Sequence, residues 1–460
     1  MSAMKSNGGS PWAPRQQLER SAHVSVTIES PNNEDHSNGK HCSRPENKKL
    51  ARSIRKKLRN LPSQSSKCCI FRVPEKLRQG YEVAYMPRVI AIGPYHHNDP
   101  GLKRMEDHKL RYLQSFLRHN MNIRLEDCFE RIRCWEDHIR SCYDGPIELD
   151  SDEFAEMTLL DGFFVIQLFL MFQNPRWRLD GDRIFGKPRI LDEVRRDMTL
   201  LENQMPFFAI ERLFEMAYGS HQKHLSGLLE LAYGFFRPST NIEELPEAVM
   251  ESEVQHFLDA IRLLYLPTAR KPPSESEDEI KFIPSATELV AAGVKLKRGT
   301  SQRLFDIKFK KGKLEIPRLK FYYSTESCFR NIIAFEQCYY QNDRYLIDYM
   351  TFMDHLVNTP DDAKLLINKG IIENWLGNEN AAADLINTLC KETFQRSSNT
   401  YFSSLRGELD AHCRKPHNKW KATFKRNYCS SPWAVLSIIA AVVLLTLTIV
   451  QTVCSLLSLK

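Results

Sequence analysis

The residues best suited to chemistry in this chain are the pair His96-His97 and, ten and twelve residues beyond His96, Glu106 and His108. Imidazole nitrogens and a carboxylate form a donor set for Zn²⁺, and a loop of that length can fold two such groups together. These four are the metal candidates. Against a shared ion, adjacent side chains in extended backbone point to opposite faces. The run Met105-Glu106-Asp107-His108-Lys109 also reads as a helix start whose polar groups bond the preceding loop, and that structural use is preferred.

Two further polar clusters lie inside apolar sequence. Glu202-Asn203-Gln204 sits between Leu200-Leu201 and Pro206-Phe207-Phe208, and Glu336-Gln337 follows Ile332-Ile333-Ala334-Phe335. Buried without partners, such groups are costly. They either hold a ligand or satisfy backbone groups freed where Pro206 breaks a helix, and the second reading is preferred because it needs no ligand. Arg330 is a candidate partner for Glu202 or Glu336. Cys128, Cys134 and Cys142, near His138, are separated by five and seven residues. That is wider than a paired-cysteine zinc site, so they read as core thiols. A Walker-type phosphate loop, a G-x-G-x-x-G turn, a G-x-S-x-G elbow, an H-E-x-x-H helix and the kinase motifs are all absent. No catalytic residue and no cofactor is assigned.

Helical periodicity must supply the frame that positions these groups. It predicts helices over 103–120, 124–141, 151–173, 189–218, 221–235 and 246–264, then over 325–341, 343–358, 361–369, 380–395 and 400–426. Asp161-Gly162 interrupts the third, and Pro206 ends or kinks the fourth. Cys69 to Pro94 is apolar and punctuated by proline, which suits extended segments or edge strands. Ser285-Ala286-Thr287-Glu288 is a capping box opening a short helix that stops at Gly293. Phe305, Ile307 and Phe309, then Leu314 and Ile316, alternate with polar residues around Lys311-Gly312, the pattern of a hairpin. The fold class is mainly α, a multi-helix soluble body with a small β-hairpin element and one C-terminal transmembrane helix. A polar loop at 267–284 forms its internal boundary.

The transmembrane expectation rests on Ala434 to Leu457, 24 uncharged residues with Leu444 near the middle. As a helix this run is roughly 36 Å long, enough to cross a hydrocarbon core of about 30 Å. It reads as a single-pass tail anchor in membrane lipid, at the plasma membrane or an endomembrane. Arg414, Lys415, Lys419, Lys421, Lys425 and Arg426 precede it, no acid follows Asp410, and the positive-inside bias places the body in the cytosol. The absence of a signal-like run in Met1 to Arg20 and of any N-glycosylation sequon agrees. The twelve cysteines then read as reduced thiols. Thr448, Gln451, Thr452 and Ser455 fall near one face of the span, where they could bond a second copy in a homo-oligomer.

Residues 1–45 are polar and expected to be disordered, ahead of a helical body over 46–431. The net charge of +7 is unevenly spread: Lys40 to Lys67 holds ten basic residues against the single acid Glu46. Among them Leu50, Ile54, Leu58 and Leu61 recur at helical spacing. Such a helix can dock on anionic lipid. It can equally pack its apolar side on the core and leave its charges in water, which is the preferred reading. No nucleic-acid partner is expected, because neither a recognised motif nor interleaved aromatics accompany the charge.

Several separated strings resemble, in order, the plant-specific family called domain of unknown function 247. They are Ile70-Phe71-Arg72-Val73-Pro74, Ala84-Tyr85-Met86-Pro87, Ile92-Gly93-Pro94-Tyr95-His96-His97, Met105-Glu106-Asp107-His108-Lys109 and Leu160-Asp161-Gly162-Phe163-Phe164. Leu201 to Phe208, Ala291 to Val294, Leu314 to Pro317, Phe329 to Gln337 and Pro432-Trp433 with the apolar run complete the set, so the resemblance spans roughly 68–457. This chain departs from the family's habit with Asn98 after the histidine pair and with Tyr322-Tyr323 where paired acids are frequent. The resemblance implies a plant membrane protein without a settled activity, and some members are implicated in reproductive recognition such as self-incompatibility. It carries over no catalytic residue. The expected function is that of a non-enzymatic, tail-anchored membrane protein whose body recognises an unknown protein. The alternatives are a membrane-tethered enzyme or metal-binding protein using His96, His97, Glu106 and His108, and a membrane-active oligomer.

Overall fold

The computed structural model describes residues 45–59, 67–219, 227–240, 242–267, 283–340, 342–391, 393, 401–416 and 432–458. The segment 1–45 expected to be disordered, apart from Pro45, which opens a helix, most of the polar loop 267–284, and Lys419 to Arg426 lie outside these residues. The chain divides into two compact units, Met1–Gln64 and Ser65–Lys460. The first contains helix α1 (Pro45–Arg59). Leu50, Ile54 and Leu58 on it are all exposed. Leu61 lies outside the described residues.

The second unit is mainly helical. After the one-turn α2 (Glu75–Arg78) come α3 (Glu106–His119), α4 (Leu125–Ser141) and α5 (Ser151–Gln173). Asp150 caps α5 by accepting from the Asp152 and Glu153 amides, and Glu153 reaches back to the Asp150 amide. Helix α5 is apolar all round rather than amphipathic, the composition of a helix enclosed by others. Helices α3, α4, α7 (Phe207–Tyr218) and α8 (Leu228–Phe236) surround it. It runs unbroken through Asp161-Gly162, because packing outweighs the propensity cost of one glycine. The predicted helix 189–218 is instead two, α6 (Pro188–Asp197) and α7, with the polar Glu202-Asn203-Gln204 in the loop between them.

In the rest of the body the helix predicted over 246–264 is likewise two. Helices α9 (Glu247–Met250) and α10 (Phe257–Tyr265) precede α11 (Ala286–Ala291), whose Ser285–Glu288 capping box is present. Gly293 follows it at φ 92°, ending the helix. The hairpin forms between β2 (Lys308–Lys310) and β3 (Lys313–Ile316), with Phe309 opposite Leu314. Lys311 and Gly312 both take positive φ at its tip. The β content exceeds one hairpin, since β1 (Lys295–Arg298) joins β3 in parallel and β4 (Leu319–Phe321) pairs in parallel with β5 (Ile372–Asn374). Helices α12 (Tyr323–Tyr339), α13 (Tyr345–Leu356), α14 (Pro360–Asn368), α15 (Glu379–Leu389) and α16 (Ser403–Cys413) complete the body, the last shorter than 400–426. Residues 69–94 hold no regular strand, only an isolated bridge from Ile70 to Tyr143.

A final helix, α17 (Pro432–Ser458), covers the run expected to span a membrane. Among the described residues, the helix that meets both the length and the apolarity needed to cross a bilayer is α5, and its most apolar stretch is 94% buried in the body. The apolar stretch of α17 is the shorter Ile439–Ser455. Its described apolar side chains, from Leu436 at 56% to Leu457 at 68%, are exposed, Leu444 among them.

Candidate functional site

Residues 69–94 lack a ladder, so their backbone amides need other partners. Side chains supply many of them, while Cys69 and Ile70 donate to the Cys142 carbonyl. Asp197, at the end of α6, accepts the amides of Arg88, Val89 and Ile90 on one carboxylate oxygen at 2.9, 2.7 and 3.1 Å. Asn203 accepts the Ile92 amide at 2.8 Å and donates to the carbonyls of Ile90 and Asp197. Gln204 donates to Met198 and Leu200, satisfying carbonyls freed where α6 stops. Glu202 accepts the Val73 amide at 2.6 Å and pairs with Arg78. The polar cluster before Pro206 is thus a set of backbone clasps, as its sequence context implied.

The same logic covers the histidine region. Asp161 of α5 accepts the Gly93 amide at 2.8 Å, and its other oxygen lies 2.5 Å from the Lys109 ammonium, which also meets Glu106 at 2.7 Å. Burial acts to lower the Lys109 pKa, but Asp161 and Glu106 outweigh it and hold that pKa above the ordinary lysine value. Gly93 takes φ 76°, and a Cβ there would fall 2.3 Å from the Gln204 carbonyl oxygen, so only glycine fits.

The four metal candidates go to separate places. His96 is buried with its Nε2 3.7 Å from Glu202, and burial lowers its pKa. His97 is only partly covered, Glu106 is committed to Lys109, and burial lowers the pKa of His108 on α3. Among the described residues no group of three or more His, Cys, Asp or Glu side chains is placed to share a metal ion. Cys128 and Cys142 are buried and Cys134 is exposed, all as free thiols, while His138 stacks on Phe208 at 4.2 Å.

Arg330 pairs with Glu326 at 2.9 Å, not with Glu202 or Glu336. Glu336 is taken by Arg262 at 2.8 Å and caps the start of α13 through the Leu346 and Ile347 amides. Asn331 links two distant motifs, accepting the Leu201 amide at 2.9 Å and donating to the Ala84 carbonyl at 3.0 Å. On α17, Thr448 and Thr452 donate to carbonyls one turn back, at 2.8 and 2.7 Å. Those donors are satisfied within the helix without a second copy.

With the motif residues committed to the frame, the open chemistry lies elsewhere. A cleft of about 350 Å³ opens between α6, β4 and the start of α12, lined among others by Arg88, Glu193, Lys320, Tyr322 and Tyr323. At its lip Tyr323 is 84% exposed, and Tyr322 stacks on Trp375, itself 59% exposed, at 6.1 Å. The sequence reading missed this aromatic lip. Trp375 follows β5, and the β4–β5 pairing that sets it beside Tyr322 joins residues over 50 positions apart.

Comparison with known proteins matches residues 70–447 to the family DUF247, plant protein of unknown function. The chain belongs to this family. It is 32% identical to the UPF0481 protein At3g47200 of Arabidopsis thaliana, over 85% of this chain and 87% of that protein. It is 22% identical to a second Arabidopsis UPF0481 protein, At3g02645, over 83% of this chain and 89% of that one. No solved structure matches.

Proposed function

We propose that this DUF247 protein is a non-enzymatic plant membrane protein, anchored at the plasma membrane or an endomembrane by α17, whose cytosolic body recognises another protein. The observation that carries the anchoring is the exposure of α17: its described Leu, Ile and Val side chains are all bare. A contiguous apolar surface on that scale needs a partner, and a hydrocarbon core is the one that covers every face of a helix at once. The basic residues from Arg414 to Arg426 support a cytosolic body.

Recognition is assigned to the lip of Tyr322, Tyr323 and Trp375 beside the cleft. Exposed Tyr and Trp over a cleft that holds an Arg are the residue types that dominate interface energetics. The recognition reading is preferred to an enzyme because Glu106 is taken by Lys109 and His96 lies beside Glu202, and to a membrane-active oligomer because Thr448 and Thr452 bond carbonyls of their own helix.

Alkaline carbonate extraction of plant microsomes tests the anchor. The full chain is expected in the pellet and a chain lacking 432–458 in the supernatant; release of the full chain overturns the anchor. Proximity labelling tests the lip. A Tyr322→Ala/Tyr323→Ala/Trp375→Ala variant should keep its membrane retention and lose specific labelled neighbours, and an unchanged neighbour set would remove the lip from recognition.

A further inference from the structure

Helix α1 is the second element whose apolar side is uncovered. Every described side chain from Asn47 to Leu58 is exposed, including Leu50 at 66%, Ile54 at 49% and Leu58 at 60%. Spaced four apart, these three form one stripe along a helix of roughly 22 Å. Lys48, Lys49, Arg52, Arg55, Lys56 and Lys57 occupy the remaining faces. On helical geometry Arg55 and Lys57 border the stripe, where long stems can carry their cations outward to phosphate depth while the leucines and isoleucine sink. An isolated helix of this length is marginal in water, so a surface that takes up the stripe would also stabilise it.

We propose that α1 binds the surface of an anionic bilayer, lying in the headgroup plane with Leu50, Ile54 and Leu58 in the acyl boundary and its basic residues on lipid phosphates. Charge complementarity selects this occupant. Six described cations around a narrow apolar stripe match a continuous negative surface, and a neutral apolar groove would leave them unpaired. The site adds a second contact to the α17 anchor and does not require that anchor. If both hold, tethering raises the local lipid concentration seen by α1 and strengthens its attachment without a new contact.

The test is hydrogen exchange read peptide by peptide on the full chain, presented with nanodiscs of phosphatidylcholine alone or with about 30% phosphatidylserine. Residues 45–59 are expected to exchange about tenfold or more slowly on the anionic discs, and to lose that protection in about 0.5 M salt. A Leu50→Gln/Ile54→Gln/Leu58→Gln variant, with good helix formers in place of the stripe, should lose it as well. Equal exchange on both lipids overturns the proposal, and so does protection that survives in the triple variant. If discs leave 45–59 open while calcium-loaded calmodulin, an acidic helix-binding groove, protects it, α1 is a protein site and the proposal is wrong. Insertion of α17 is scored separately by protection across 432–458, so failure of the anchor and failure of this site are told apart.

Discussion

Helices α5 and α17 are both long and apolar, yet one is enclosed and the other bare. Ser151–Gln173 is ringed by α3, α4, α7 and α8, with 94% of its most apolar stretch buried. Pro432–Ser458 exposes its described apolar side chains. Composition does not separate a core helix from a membrane span; what covers the helix does. The contrast extends to polar groups. Asp161 in α5 is buried and committed to Gly93 and Lys109, whereas the threonines of α17 close on their own backbone.

The sharpest way to break this comparison is to place one acid in each helix. Phe163→Asp is expected to abolish folding of the body, because an unpaired carboxylate would enter a fully buried site. Leu444→Asp should leave the thermal midpoint of the body unchanged and shift the chain towards the soluble fraction. Equal damage from both, read by circular dichroism and fractionation, would mean the helices share one environment.

Next in size is Asp161→Ala. It leaves the Lys109 ammonium with Glu106 alone and the Gly93 amide without its acceptor. A loss of about 3–5 kcal/mol in urea unfolding is expected. A loss below about 1 kcal/mol would show that this ion pair is not what holds 93–97 to α5.

The smallest effect is in pH. Burial raises the pKa of Asp348 on α13 to about 7, against its Tyr401 amide donor and the nearby Arg406 charge. A folded-state pKa above the unfolded one means that the fold binds this proton more tightly. The stabilisation is complete below about pH 4 and is lost as pH rises through about 7, at up to about 1.3 kcal/mol per pH unit. Asp348→Asn, which keeps an oxygen for the Tyr401 amide, should flatten that dependence between about pH 5 and 8. A wild-type profile already flat there would contradict the raised value.

Much of the frame was legible because it is local. The Ser285–Glu288 box, the Lys311-Gly312 hairpin and most helices follow from neighbours a few residues apart. The role of Glu202-Asn203-Gln204 was legible in kind, as clasps for freed backbone groups, but its partners were not. Val73, Arg78 and Ile92 lie more than 100 residues upstream, and nothing in the local pattern selects Arg78 over Arg330. Residues 69–94 look like strands because they are apolar and rich in proline, yet no strand pairs with them, and distant side chains and local turns take their amides. The parallel pairings of β1 and β4 were missed for the same reason: Lys295–Arg298 and Leu319–Phe321 are too short to announce themselves. The aromatic lip depends on β4 meeting β5, so no local signal could have found it.

The central claim is that α17 holds a cytosolic body at a membrane, and protease treatment of sealed, cytosol-out plant microsomes tests it most directly. With a tag before residue 1, the account predicts that added protease removes the tag and most of the body while a fragment containing 432–458 stays membrane-protected. A tag that survives until detergent opens the vesicles, or digestion that leaves no protected fragment, would contradict it.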